Sequence, residues 1–312
     1  MTPVKKRSEL PRKKPMLRAP LRLIGSKGKL APYLLAMIPH HHTYVEAFGG
    51  GAALLFGKDP RISKLEVYND VDIGLVNFFR VLRNPISFEK FVRTVRLTPY
   101  SRLEWRESVD SWRAEGDPVE RAAKWFVVAR QSFGGKFGGA WGLATASSSK
   151  SSKYGYLPMT VLNWLSVLDA LPQFHWRLSR VQIEYLDWRR CLELYNSKNT
   201  FMYCDPPYVW GSRKSGEYEH EMSNSDHKEL VEKLLEYKGM VMLSGYANPI
   251  YEPLEKAGWV RTDFNIQIDV AGSVRQSRRL MSAGAKQADR YRRIDSVWRN
   301  LACVENTPSE KD

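Results

Sequence analysis

The residues of this chain best suited to chemistry lie between positions 200 and 209, in TFMYCDPPYV. The apolar run that opens this stretch predicts a buried strand, and two prolines then prevent either a strand or a helix from continuing. The strand therefore ends at Asp205, beside Pro206, Pro207 and the ring of Tyr208. Ligands of open α/β sheets bind at the carboxyl ends of the strands, so this is a candidate site. A proline turn after a core strand is the alternative.

A strand, a glycine turn and a helix are predicted in succession over residues 44–56, YVEAFGGGAALLF. Such a unit is typical of nucleotide-binding folds, where glycines let the backbone approach a ligand closely. Asp70 lies 19 residues after Gly51, near the spacing of the acid that binds ribose hydroxyls in those folds. Upstream, the loop GSKG offers Lys27 to a carboxylate or phosphate. A generic Rossmann-like unit with an exposed acid is the alternative.

Four motifs occur in the order found in DNA adenine methyltransferases of the D12 class, and they span most of the chain. They are Arg22-x-x-Gly25-Ser26-Lys27, Tyr44-Val45-Glu46-Ala47-Phe48-Gly49-Gly50, Tyr68-Asn69-Asp70 and Asp205-Pro206-Pro207-Tyr208. The chain thus resembles that family from about residue 21 to residue 302. Later residues are similar to its phage-type branch: Tyr218-x-His220-Glu221-Met222, Asp226-His227, Leu243-Ser244-Gly245-Tyr246 and Asp295-Ser296-Val297-Trp298.

The resemblance implies S-adenosylmethionine as cofactor and adenine in double-stranded DNA as substrate. It assigns cofactor binding to Gly25, Lys27, Glu46, Phe48, Gly50, Asp70 and Asp187. In this assignment Asp70 holds the ribose hydroxyls, and Asp187, after another predicted strand, lies beside the cofactor's adenine. Two positions depart from the family, Ala52 where a glycine is usual and Asp295 where a glutamate is usual, and both changes are expected to matter little.

The resemblance also makes Asp205, Pro206, Pro207 and Tyr208 the catalytic tetrad. The carboxylate and the first proline's carbonyl accept hydrogen bonds from the target amino group, and the tyrosine stacks on a base flipped out of the duplex. The lone pair of an exocyclic amine is shared with its ring. Two fixed acceptors that favour tetrahedral geometry therefore expose the lone pair to an electrophilic methyl group.

A segment between Asp70 and Asp187 differs in composition from its flanks. It predicts helices over 86–95, from Pro118 onward and over about 160–171, with a Gly/Ser/aromatic stretch at 131–156. The family has a helical target-recognition insert at this position. Predicted DNA contacts are Arg130 and Lys136 in this segment, and Arg213 and Lys214 in the loop after the tetrad. A flexible linker with locally packed aromatics is the alternative.

Composition agrees with a polyanionic partner, because the formal net charge is +14 and the pI about 9.6. Basic residues concentrate in residues 1–22, interpreted as a tail, and in residues 272–294. Three cysteines without metal-ligand spacing predict reduced thiols in a cytoplasmic protein. The histidines lack a ligand pattern, so no metal is expected, and no apolar run predicts a membrane span.

The sequence therefore predicts an α/β fold: a Rossmann-like class I methyltransferase sheet with helices on both faces, plus an inserted, mainly helical target-recognition domain. The predicted division is a basic disordered tail (1–20), a discontinuous catalytic domain (21–84 and 174–304), the insert (85–173) and a second tail (305–312). The predicted activity is N6-adenine methylation of DNA by a monomer or weak dimer in a bacterial or phage-infected cell. An RNA amino-methyltransferase and a catalytically silent DNA-binding protein are the alternatives. An N4-cytosine enzyme is disfavoured by Asp at position 205.

Overall fold

The computed structural model describes residues 12–21, 23, 25–144, 148–151, 153–209, 220–267 and 292–308. Nine strands occur in this part of the chain: β1 (Thr43–Glu46), β2 (Leu65–Asn69), β3 (Ser148–Ser151), β4 (Gly155–Pro158), β5 (Val181–Glu184), β6 (Thr200–Cys204), β7 (Met240–Tyr246), β8 (Val260–Gln267) and β9 (Arg292–Arg299). Seven of them form one sheet in the order β5-β2-β1-β6-β7-β9-β8, and β3 and β4 form a separate hairpin. Strands β5, β2, β1, β6 and β7 are mutually parallel, and only β9 runs antiparallel to its neighbours β7 and β8.

Helices connect these strands. They are α1 (Ala31–Ala36), α2 (Ala53–Gly57), α3 (Ile73–Arg83), α4 (Pro85–Leu97), α5 (Arg102–Ser111), α6 (Pro118–Gln131), α7 (Met159–Leu178), α8 (Trp188–Leu194), α9 (Asn224–Leu235), α10 (Glu252–Lys256) and α11 (Leu301–Glu305). A capping box begins α9, where Ser223 and Asp226 bond reciprocally.

Two hydrophobic cores lie on opposite faces of the sheet, as alternation along its strands requires. In β1, Tyr44 packs into the core that contains α1 to α4, α6 and α7, whereas Val45 packs into the core that contains α8, α9 and α10. Both faces of a mostly parallel sheet are thus covered by helices. The predicted Rossmann-like α/β fold is confirmed.

The segment between β2 and β5 is mainly helical and shares its core with the sheet. Phe78 of α3 stacks on Phe126 of α6, with ring centroids 5.2 Å apart. Helix α7 continues through Pro172 to residue 178, so it crosses the boundary predicted between residues 173 and 174. Helix α5 lies where the sequence predicts none, and the stretch 131–156 contains a short 3₁₀ turn and β3 rather than loop alone.

A buried ion cluster ties α7 to the sheet. Glu66 of β2 is fully buried and pairs with Lys58 and with Arg177 of α7, whose two terminal nitrogens each lie 2.7 Å from a carboxylate oxygen. Arg177 also donates to the carbonyl of Leu55 in α2, at 2.7 Å. Because both cations share one carboxylate, loss of that carboxylate would leave two buried charges unpaired.

Residues 12–20, which belong to the predicted disordered tail, form backbone hydrogen bonds to the folded domain. The backbone N–H of Lys13 donates to the Pro32 carbonyl at 2.7 Å, and that of Met16 donates to the Gly57 carbonyl at 2.9 Å. Carbonyls in α1 and at the end of α2 thus hold residues 12–20 against the domain.

Other features of the described ranges bear on the sequence predictions. No helix within them is both long and apolar enough to cross a membrane. Those same ranges contain no group of three or more His, Cys, Asp or Glu side chains arranged to hold a metal ion. The three cysteines are buried free thiols. Arg213, Lys214 and most of residues 272–294 lie outside the described residues.

Candidate active site

One cavity of about 580 Å³ opens at the carboxyl ends of the parallel strands. Its walls carry side chains that follow three neighbouring strands: Glu46 ends β1, Asp70 follows β2 and Asp205 follows β6. The glycine turn at 49–51 lines the same cavity, so Asp205 and the turn face one space. All the predicted cofactor residues also line it, namely Gly25, Lys27, Glu46, Phe48, Gly50, Asp70 and Asp187.

The turn between β1 and α2 depends on close backbone approach. A Cβ atom on Gly49 would overlap the ring of Tyr68, and the Tyr68 hydroxyl donates to the Gly50 carbonyl at 2.9 Å. Gly50 has a φ of +48°, which favours glycine. Ala52 also adopts the left-handed region, with φ 55° and ψ 42°, and this costs an L-residue about 1–2 kcal/mol. The backbone of the turn is therefore strained at Ala52.

Asp70 holds the turn from the end of β2. One of its oxygens accepts the backbone N–H of Gly50 at 2.7 Å, and the other accepts that of Asp72 at 2.9 Å. Burial raises the pKa of Asp70 to about 6, and these two hydrogen bonds oppose the increase. The carboxylate thus links the glycine turn to the start of α3 at the wall of the cavity.

Glu46 is a buried carboxylate whose two hydrogen-bond donors are neutral. Its Oε1 accepts the Tyr44 hydroxyl and the backbone N–H of Leu55, both at 2.7 Å. Burial raises the pKa of Glu46 to about 7, the two hydrogen bonds oppose this, and the negative charge of Asp205 adds to it. A cationic group entering the cavity would therefore gain more at this position than at a solvated carboxylate.

Lys27 joins the N-terminal loop to the predicted tetrad. Its ammonium lies 2.6 Å from Oδ1 of Asp205 and 4.7 Å from the centroid of the Tyr208 ring. It also donates to the Gly25 carbonyl at 3.1 Å. Burial raises the pKa of Asp205, and the neighbouring Lys27 acts in the opposite direction. The structure thus brings a residue predicted to bind the cofactor into direct contact with the predicted catalytic carboxylate.

Tyr208 is held in place from β7 and β9. Its hydroxyl donates to Oδ1 of Asp295 at 3.1 Å, and its ring meets that of Tyr246 edge-on with centroids 4.3 Å apart. Only 6% of Tyr208 is exposed. The sequence expectation that Asp in place of Glu at position 295 matters little took no account of this contact, which joins residues 87 positions apart.

Residues 23–126 and 144–266 match the family of D12 class N6 adenine-specific DNA methyltransferases. The matched residues make up more than half of the chain. This chain belongs to that family. No curated protein matches the sequence. Among solved structures, a protein described as an RNA methyltransferase from Pyrococcus horikoshii is 14% identical, and the alignment covers 94% of this chain and 92% of that chain with a TM-score of 0.34. That TM-score supports no conclusion about this chain.

In this D12-class methyltransferase, the helical segment supplies part of the cavity wall. Trp125 of α6 and Phe137 line the cavity, with ring centroids 5.2 Å apart, and Phe137 also packs edge-on against Trp112. Phe137, in the Gly/Ser/aromatic stretch at 131–156, thus packs against neighbouring aromatic rings. On the opposite side Phe48 faces Trp188, and Asp187 caps the start of α8.

The predicted DNA contacts of this enzyme lie in different environments. Arg130 is half-buried, and its two terminal nitrogens donate to the carbonyls of Pro20 and Asn163, each at 3.0 Å. This arginine ties the N-terminal segment to α7. Lys136 is exposed beside the cavity-lining residues Gly135 and Phe137. Phosphate contact stays a prediction for both side chains.

Proposed function

We propose that this methyltransferase transfers the methyl group of S-adenosylmethionine to the N6 amino group of adenine in double-stranded DNA, after the base has been extruded from the helix. The observation that carries the proposal is the shared cavity, since the glycine turn with Asp70 and the carboxylate of Asp205 line one space. A methyl donor bound by the glycine turn and Asp70 would lie next to an amine bound by Asp205.

The chain's residues fit S-adenosylmethionine. The cavity volume of about 580 Å³ lies within the usual range of small-molecule sites, roughly 300–1,000 Å³. The buried carboxylate of Glu46, bonded only by neutral donors in the contacts described above, suits the cofactor's α-ammonium. Asp70 suits the ribose hydroxyls, the turn at Phe48 and Gly50 suits the sulfonium end, and Asp187, which lines the same cavity, is assigned to the adenine. When bound, the cofactor supplies an electrophilic methyl group.

The tetrad orients the amine. Asp205 and the carbonyl of Pro206 each accept a hydrogen bond from one N–H of the amino group, so that its lone pair points into the cavity. The ring of Tyr208 provides a flat face for the extruded base. After transfer the amine is strongly acidic, and Asp205 or water takes its proton.

The helical segment and the basic surface serve DNA in this proposal. Lys136 lies exposed next to the cavity rim, and Arg213 and Lys214 follow the tetrad in sequence. Together with a net charge of +14, these cations favour a phosphate backbone as partner. We further propose that the enzyme acts as a monomer or weak dimer in the cytoplasm and belongs to the phage-type branch of its family.

The test is to incubate the purified protein with methyl-labelled S-adenosylmethionine and plasmid DNA, RNA or neither, and to identify the labelled nucleoside by mass spectrometry. The expected product is N6-methyladenine in DNA, and methylation-sensitive sequencing of that DNA then maps the modified positions. Asp205→Ala should abolish labelling yet leave DNA binding largely intact. Labelled RNA alone, labelled cytosine, or full activity of Asp205→Ala would each reject the assignment. Cofactor-independent DNA binding with no product would favour a silent DNA-binding protein.

A further inference from the structure

The ammonium of Lys27 makes the two contacts that the proposed mechanism reserves for the target adenine. It lies 2.6 Å from Oδ1 of Asp205, the residue whose carboxylate would bond to the amino group, and 4.7 Å from the centre of the Tyr208 ring on which the base would stack. Resting on the proposed function, we propose that Lys27 occupies the target-base position while no base is bound, and that an extruded adenine must displace it to reach Asp205.

Burial makes the two occupants mutually exclusive. The Lys27 side chain is 8% exposed and that of Asp205 is 17% exposed. Tyr208 is also buried, beneath the same ammonium. The ammonium already fills the space beside Oδ1 of Asp205 and over the Tyr208 ring, so a base stacked on that ring with its amine at Asp205 would overlap it. A base can therefore approach Asp205 only after the lysine has moved.

Lys27 lies in a short loop between two glycines. Lys27 begins a 3₁₀ turn of only three residues. Gly25 on one side has a φ of +80°, and a Cβ on Gly28 would meet no atom within 4 Å. The Gly25 carbonyl already accepts a hydrogen bond from Lys27 at 3.1 Å, so the ammonium keeps a partner when it leaves Asp205. Displacement thus breaks one ion pair without leaving a buried cation with no acceptor.

The consequence is a smaller population of base-competent enzyme. Only molecules whose lysine has left Asp205 can accept the base, so the apparent affinity for an extruded base falls by that fraction. Removing the ammonium should therefore improve base capture, even though the same change weakens cofactor binding.

The test uses a DNA duplex that keeps adenine at the position mapped in the methylation experiment and carries 2-aminopurine as the neighbouring base, because the fluorescence of 2-aminopurine rises when the adjacent adenine leaves the stack. Titrations without cofactor compare wild type, Lys27→Met and Asp205→Asn. The asparagine oxygen still accepts an amino hydrogen but no longer pairs with an ammonium. Each variant should capture the base roughly tenfold more strongly than wild type. The variant that carries both substitutions should capture the base no more strongly than either single variant, because all three variants lack the ion pair between Lys27 and Asp205.

Lys29→Met is the matched control, because it removes one positive charge from the exposed end of the same turn. It should leave base capture at the wild-type level. Unchanged or weaker capture by Lys27→Met, or full additivity of the two changes, would overturn the inference while leaving the methylation result intact. Should Lys27→Met fail to fold in a thermal melt, Asp205→Asn decides by the same readout. A wild-type enzyme that modifies no DNA adenine would instead remove the proposed function, and this inference with it.

Discussion

Glu46→Gln should stabilise the cofactor-free protein, although it alters a buried residue of the cavity. Between pH 4.5 and about 7 the folded state binds more protons at Glu46 than the unfolded state does, because burial raises the pKa of this carboxyl. Stability is therefore lost as the pH rises through that window. The pKa of Glu46 rises from 4.5 to about 7, and each pKa unit is worth about 1.4 kcal/mol. The ionised carboxylate therefore lowers the free energy of unfolding by about 3 kcal/mol at pH 8 and by less than about 1 kcal/mol at pH 5.

Glutamine can keep the local hydrogen bonds. Both donors, the Tyr44 hydroxyl and the Leu55 N–H, bond to the single oxygen Oε1, and the glutamine carbonyl can accept both. The substitution therefore removes the desolvated charge without leaving those donors unpaired. Urea denaturation of wild type and variant at pH 5 and pH 8, without cofactor, measures the difference. Calorimetric titration with S-adenosylhomocysteine should show weaker binding by the same variant, since the carboxylate that faces the α-ammonium is lost.

Glu66→Gln is the matched control and should have the opposite effect on stability. Glu66 is also fully buried, but its charge is paired with those of Lys58 and Arg177. Removing its charge leaves two buried cations without their anion and should cost about 3–5 kcal/mol. The reasoning is refuted if Glu46→Gln is no more stable than wild type at pH 8, or if its gain is the same at pH 5 and pH 8.

Further predictions concern the turn, the ribose acid and the tetrad. Gly49→Ala should destabilise the fold by about 1–3 kcal/mol because its Cβ overlaps the Tyr68 ring, whereas Gly51→Ala, whose Cβ would meet nothing closer than 3.8 Å, should be tolerated; thermal melts compare them. Asp70→Asn should weaken cofactor binding far more than DNA binding. In wild type, cofactor affinity should fall as the pH drops through about 7 and then about 6, where Glu46 and then Asp70 become protonated, and Asp70→Asn should lack the second step. Equal losses for cofactor and DNA, or the same pH profile by calorimetry for wild type and Asp70→Asn, would contradict this placement. Tyr208→Ala should weaken the binding free energy of the extruded base by about 1–3 kcal/mol, because the stacking face is lost. Tyr208→Phe, which lacks only the hydroxyl bonded to Asp295, should lose less, and 2-aminopurine fluorescence ranks the two.

Local signals in the sequence were sufficient to predict the sheet and the two sides of the cavity. Prolines after an apolar run end β6 just before Asp205, and Gly49 after β1 occupies a position where a Cβ atom would overlap the Tyr68 ring. The edge of a parallel sheet then brings the ends of β1, β2 and β6 together. Strand ends at one edge are therefore predictable without knowing any side-chain contact.

Contacts between distant segments could not be predicted in this way. Asp295 reaches Tyr208 because β9 inserts between β7 and β8, an order that no local pattern reveals. The pairing of Lys27 with Asp205 joins residues far apart in the chain. In the fold Arg130 donates to the backbone carbonyls of Pro20 and Asn163, and no local pattern in the sequence indicated these acceptors. A cation's partner depends on which acceptors the tertiary structure brings within reach.

The central claim is that cofactor and target amine meet in the cavity between the glycine turn and Asp205. The most direct measurement is a crystal structure of the protein with sinefungin, whose amine stands in place of the transferable methyl group. We predict that the ribose of sinefungin bonds to Asp70 and that its amine points toward Asp205. Sinefungin bound outside this cavity, or bound with its amine directed away from Asp205, would contradict the account.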